Sequence, residues 1–258
     1  MNETESIEIT KKKETSLVKE ITLPTKKAEI QFKSPRLLLI YSKPKVGKTT
    51  LLTYLDNNLI VDTENGVGYT SAMSYQVKNI EDIIALGKEI IKQSKPYDYI
   101  SIDTITSMET MCLPYALKLY RKTPMGATFA GDNVLTLPNG AGYLYLREAF
   151  TRAISFIKTW APRIILVGHL KETMINTEGK EVNFMDVDLT GRLKAMTCGD
   201  ADAIGYMYRE GANTMLTFNS KDTVLCGSRP EHLRGKTVLL AEEQNNIITT
   251  HWNEIFID

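Results

Sequence analysis

One stretch of this chain leaves few folds open to it. Leu37, Leu38, Leu39, Ile40 and Tyr41 form an unbroken apolar run of strand length. A strand with no polar face must be covered on both sides, which is the condition of a parallel sheet. The run leads directly into Ser42, Lys43, Pro44, Lys45, Val46, Gly47, Lys48 and Thr49, which match G-x-x-x-x-G-K-[ST] at every fixed position but the first. Thr50 continues into a helix expected over residues 48–56. A buried strand, a tight turn and a helix start make backbone N–H groups converge, and such a nest holds phosphate oxygens. Lys48 then supplies a point charge to the β and γ phosphates of a nucleotide such as ATP, and Thr49 offers a hydroxyl to Mg²⁺. Ser42 stands where the pattern has its first glycine. If that position needs a positive φ, serine costs about 1 kcal/mol or more of backbone strain, at the expense of nucleotide binding.

The rest of the chain repeats the strand–helix alternation. Residues 59–62, 97–103 and 163–169 read as further short buried strands, and residues 80–93, 106–121 and 143–157 as helices with apolar residues on one face. A loop punctuated by Pro and Gly spans 122–142, and a polar loop follows 169. A short helix over 191–196 and strands over 203–208, 214–218 and 237–240 complete the pattern. Strands alternating with helices argue for an α/β fold: a mostly parallel twisted sheet, helices on both faces, and antiparallel additions towards the C-terminal end.

Two acids fall at strand ends. Asp103 closes Tyr99-Ile100-Ser101-Ile102, where a carboxylate can hold Mg²⁺ through its water shell. Asp62 and Glu64 follow the strand after the phosphate loop. Glu64 is the candidate for orienting an attacking water, while Asp62 could position loops or metal-bound water. His169 ends the fourth strand, where a polar tip can sense a γ-phosphate. His232 and His251 have no such context, and the histidines and cysteines lack metal-ligand spacing.

Charge bears on partners. Thirty-one basic residues balance 31 acidic ones, which argues against a polycationic coat on nucleic acid but not against a local basic channel. Residues 1–35 form a separate zone, read as a flexible charged arm ahead of one domain over 36–258. The Lys11-Lys12-Lys13 run reads as solvated charge or as a partner contact, and Ile7, Ile9, Leu17, Val18, Ile21 and Leu23 could add an edge strand. No apolar run approaches the roughly 18 residues of a membrane span, and no signal-type segment is present, so the cytoplasm and no membrane partner are expected. The three cysteines, odd in number and widely spaced, suit reduced thiols.

Taken in order, the phosphate loop, Asp62-x-Glu64, Asp103-Thr104 and His169 resemble the RecA-like P-loop ATPases, over about 35–218. AAA+ enzymes usually set their catalytic acid beside the strand-end Asp, where this chain has Thr104. Within the RecA-like family the chain is similar to small phage nucleotide-binding proteins, including the single-strand annealing group. The resemblance implies a core that binds ATP and Mg²⁺, loops facing single-stranded DNA, and homo-oligomers with ATP near a subunit interface. A single-strand-binding or replication protein is a further partner it implies. By position the DNA-facing loops would be 122–142 and 171–189, with Lys171, Lys180 and Phe184 in the second and Arg192 and Lys194 just after it. Arg229 would reach a neighbouring subunit's γ-phosphate. The expected function is a DNA-stimulated ATPase in phage recombination or annealing. A P-loop small-molecule kinase and a non-hydrolysing nucleotide-binding adaptor stay open as alternatives.

Overall fold

The computed structural model describes residues 22–177 and 180–258. Expectations for the lysine run and for strand pairing by residues 7–21 lie outside them; residues 22–31 are exposed and carry no helix or strand. Phe32–Asp258 form one compact unit.

Its strands are β1 (Leu37–Ser42), β2 (Asn58–Asp62), β3 (Ser74–Gln76), β4 (Tyr99–Asp103), β5 (Arg163–Thr177), β6 (Lys180–Val187), β7 (Ala203–Glu210), β8 (Asn213–Thr217), β9 (Gly227–Ser228), β10 (Thr237–Gln244) and β11 (Ile247–Thr250). The helices are α1 (Lys48–Leu52), α2 (Ile80–Lys92), α3 (Ile105–Met111), α4 (Leu113–Arg121), α5 (Gly142–Ile157) and α6 (Gly191–Asp200). Most strands lie in the order β11-β10-β8-β7-β1-β5-β4-β2-β3, with β6 on β5 and β9 on β7. From β3 to β7 the neighbours run parallel, and β8, β10 and β11 add antiparallel strands. The expected fold class is therefore the observed one.

The two-residue period of the strands divides the core. Leu37, Leu39 and Tyr41 face one cluster with Leu59, Ile102 and Leu166, which α2 to α6 cover through residues such as Ile83, Met108, Ala116, Phe150 and Leu193. Leu38 and Ile40 face the other, with Leu51 and Leu52 of α1 and Trp252, Ile255 and Phe256. With both faces covered, all six positions of β1 are buried, as its unbroken apolar sequence requires.

Register levels the sheet's functional edge. Ser42 lies opposite His169, Asp103 opposite Val167, and Asp62 opposite Asp103. The ends of β1, β2 and β4 and residue 169 of β5 thus share one carboxyl edge, where open α/β sheets bind ligands.

Several elements differ from expectation. The polar segment after 169 is not a loop: β5 runs on to Thr177 and pairs antiparallel with β6, from Leu170 opposite Val187 to Thr177 opposite Lys180. The expected 106–121 helix is two helices that meet at Cys112, with Pro114 in the first turn of α4, where a missing N–H costs nothing. Helix α1 stops at Leu52, and the chain turns back through Asn57 at φ 51°. Cys112, Cys198 and Cys226 are unpaired. Among the described residues no helix is long and apolar enough to cross a membrane.

Candidate active site

The phosphate loop starts at a buried end and needs a left-handed turn in its middle. Ser42 is wholly buried, and positive φ falls on Lys45 (65°) and Gly47 (105°), not on Ser42. The strain expected of serine at the first position is therefore absent, which corrects the sequence reading. Gly47 is where glycine is required, since it caps α1 in a left-handed conformation. The Ser42 hydroxyl has a use of its own. It donates to the Lys43 carbonyl at 2.8 Å and accepts from Lys48 Nζ at 3.0 Å. Lys48 Nζ also reaches the Lys43 carbonyl at 3.2 Å. The ammonium is thus folded back into the loop. Burial lowers its pKa, while the charges of Asp103 and Glu64 pull the other way.

Helix α1 turns Thr49 towards β4. Thr49 Oγ1 donates to Asp103 Oδ2 at 2.5 Å. Burial raises the Asp103 pKa; the Thr49 hydrogen bond and Lys48 oppose that, and Glu64 and Asp62 reinforce it. Asp103 is thus a carboxylate kept short of solvent beside a hydroxyl and an ammonium.

The two acids after β2 do different work. Asp62 accepts from the backbone N–H groups of Glu64 (3.0 Å), Gly66 (3.1 Å) and Val67 (3.1 Å). It therefore organises the turn that carries Glu64. Glu64 points at the sheet edge, where its Oε1 accepts from Thr104 Oγ1 at 2.6 Å and lies 2.9 Å from His169 Nε2. His169 Nδ1 is buried and has no hydrogen-bond partner among the described residues. Thr104, joined to Asp103 by a cis peptide, caps α3 by accepting from Ser107 N. The sequence marks Thr104 as part of the strand-end Asp-Thr pair, where AAA+ enzymes usually carry an acid; its hydroxyl is also an anchor for Glu64.

On the opposite flank of the loop stands Arg209 of β7, another residue the sequence reading passed over. Its Nε donates to the Val46 carbonyl at 3.3 Å, and its Nη1 lies 3.6 Å from Glu243 Oε2. A third contact ties the loop to the β5–β6 hairpin, where Lys43 pairs with Glu172 at 2.8 Å. Pro44 and Lys45 are exposed at the loop's mouth, and Thr50 follows on α1.

The residues expected to face DNA are dispersed. Lys171 lies 3.6 Å from Asp188, and Lys194 pairs with the buried Asp186. Phe184 is half-buried in β6, and Lys180 opens β6, its side chain lying outside the described set. Arg192 is exposed. With Tyr143, Arg147 and the Gly191 start of α6 it lines a cleft of about 290 Å³. Arg229 bonds within its own chain, to Asp202 Oδ1 at 3.1 Å and to the Gly199 carbonyl at 2.5 Å.

The donor set suits a nucleotide triphosphate with Mg²⁺. It offers a backbone nest, one ammonium, one hydroxyl and one carboxylate, and leaves the remaining ligands of a hard cation to phosphate and water. Among the described residues no group of three or more His, Cys, Asp or Glu could hold a metal alone.

A family model described as an AAA domain matches residues 34–241. A search of curated proteins finds no match. Among solved structures, the chain is similar to the RadB recombinase at 10% identity and a TM-score of 0.44, over 84% of this chain and 92% of that one. Thr104 stands beside Asp103 as the sequence reading noted, yet the family matched is described as an AAA domain.

Proposed function

The chain belongs to the AAA domain family, and from that premise we propose that it binds ATP with Mg²⁺ and hydrolyses it on a RecA-like core that acts on single-stranded DNA. The observation that carries the ATPase reading is the pair of contacts at one sheet edge: Thr49 on Asp103, and Glu64 held by Thr104 and His169. Lys48 and the N–H groups around Gly47 bind the phosphates. Thr49 and Asp103 would hold Mg²⁺. When bound, the ion neutralises charge on the phosphate oxygens. Glu64 orients the attacking water and takes its proton, and His169 and Thr104 fix the carboxylate's direction.

His169 also carries nucleotide state outward, because β5 continues from it into the hairpin. The support for a DNA role is the cleft at α6. Neither Arg147 nor Arg192 has an ion-pair partner among the described residues, and both line it beside the exposed ring of Tyr143. Two free guanidiniums and an aromatic face suit a sugar–phosphate strand and a stacked base. We assign the activity to phage recombination or annealing in the host cytoplasm, with subunits assembled so that ATP lies near their interface.

The test is the ATPase rate with and without single-stranded DNA, across salt. Stimulation that fades with salt supports the reading. Turnover that DNA leaves unchanged removes the DNA role, and undetectable turnover with ATP bound leaves an adaptor. Lys48→Ala is the control that abolishes binding or hydrolysis.

A further inference from the structure

We propose that Arg209 is a nucleotide-binding residue, whose guanidinium takes the inner phosphate of the bound nucleotide after releasing Glu243. The inference rests on the ATP reading above and adds a ligand contact on the flank that reading leaves empty.

Strand geometry places the residue. β7 flanks β1 on the side away from β5 and β4, so Arg209 and Asp103 lie on opposite flanks of the phosphate loop. Alternation along β7 turns Ala203 and Met207 into the cluster that holds Leu51 and Leu52 of α1, and Arg209, two residues beyond Met207, projects on the same face. In register, Arg209 lies opposite Thr214, and Thr214 opposite Ala241. Glu243, two residues past Ala241, therefore shares that face. The side chain reaches the loop itself: Nη2 lies 3.7 Å from where a Cβ on Gly47 would sit. Gly47, Thr50, Ala212 and Thr214 line a small adjoining cleft of about 40 Å³ with Arg209, and Glu242 and Glu243 supply its acidic side.

Polarity follows from the two flanks. Thr49 and Asp103 mark the end of the loop that takes Mg²⁺ and the terminal phosphate. A triphosphate laid with that end towards Asp103 has its inner phosphate and nucleoside towards Thr50 and Arg209. The guanidinium is free to respond. It has five N–H donors and among the described residues makes one hydrogen bond, of 3.3 Å, to Val46. Its partner Glu243 is 3.6 Å away, with both side chains well exposed, at 44% and 39%. Pairs of this kind contribute little, whereas a guanidinium on phosphate makes charge-assisted, often bidentate hydrogen bonds. Binding thus exchanges a weak contact for a strong one.

Calorimetric affinities for ATP and ADP at fixed Mg²⁺ test this in the wild type, Arg209→Ala and Glu243→Gln. Arg209→Ala should weaken both nucleotides by the same factor, about ten-fold. Glu243→Gln should tighten both, because the guanidinium no longer has to leave a carboxylate. A residue that merely latches the loop predicts the opposite sign for Glu243→Gln, and weakening in both variants overturns the proposal. Loss of ATP affinity with ADP affinity intact also overturns it, by moving the contact to the terminal phosphate. A wild-type protein that binds neither nucleotide defeats the ATP reading, and this inference with it. Wild-type binding that Arg209→Ala leaves intact defeats this inference alone.

Discussion

Removing the Asp62 carboxylate should unfold the turn that carries Glu64 before it touches any chemistry. Asp62 is 4% exposed and accepts three backbone N–H groups, from Glu64, Gly66 and Val67. In Asp62→Ala all three lose their acceptor. At about 1 kcal/mol of net contribution per bond, the loss is about 3 kcal/mol. Two terms reduce it. Solvent reaches the part-buried N–H groups of Glu64 and Gly66, and removing a negative charge relieves Asp103, whose pKa Asp62 helps to raise. The net expectation is a loss of roughly 2 kcal/mol, which for a domain of this size lowers Tm by roughly 4–8 °C. Asp62→Asn keeps one acceptor oxygen and turns an NH₂ on a backbone N–H, so its loss should fall between wild type and alanine. The assay is thermal and urea unfolding of the nucleotide-free protein, with ATPase rates measured well below Tm. Turnover should fall in both variants, because Glu64 loses its support. A Tm within 1 °C of wild type in Asp62→Ala would refute the assignment of Asp62 as the organiser of this turn.

Three further expectations follow from the same geometry. Ser42→Gly should lose stability by about 0.5–1 kcal/mol and gain no ATP affinity, because residue 42 does not need a positive φ and its hydroxyl anchors Lys48; tighter ATP binding would contradict this. Asp103 has a folded-state pKa raised chiefly by burial, so its favourable contribution is present below the ordinary carboxylate value and is lost as pH rises through the raised one. Nucleotide-free Asp103→Asn should therefore be more stable than wild type near neutrality and converge with it towards about pH 4, while its Mg²⁺-dependent nucleotide binding weakens; urea unfolding across pH and calorimetry read the two effects. In Gly87→Ala a Cβ would meet Trp160 Cζ2 at 2.3 Å in a wholly buried contact; overpacking of about 1–3 kcal/mol should outweigh the roughly 1 kcal/mol gained in helix propensity, and a stabilised variant in chemical denaturation would count against that packing.

What could be read from the sequence was what neighbours in sequence decide. The apolar run of β1, the glycine at 47 and the acids at 62, 64 and 103 are local signals, and register alone brings their strand ends level. The β5–β6 hairpin was hidden because Lys171, Glu172, Thr173 and Asn176 are exposed and polar on both faces; nothing in their pattern marks a buried side. β3 was hidden for the same reason, with all three residues exposed. At Ser42 the condition for strain is not met: the motif names a glycine without saying which torsion it serves, and here positive φ falls on Lys45 and Gly47. Arg209 is 163 residues from Val46, the loop residue whose carbonyl it bonds. Only the strand order, with β7 beside β1, brings it there.

The central claim is that Glu64 acts on water while Lys48, Thr49 and Asp103 hold ATP and Mg²⁺. The most direct measurement compares wild type with Glu64→Gln, following ATP binding and single-turnover hydrolysis on the same samples. The account predicts unchanged affinity and a rate lower by about 10²–10⁴-fold, the range of a lost general base. Hydrolysis at the wild-type rate, with ATP bound, would contradict it.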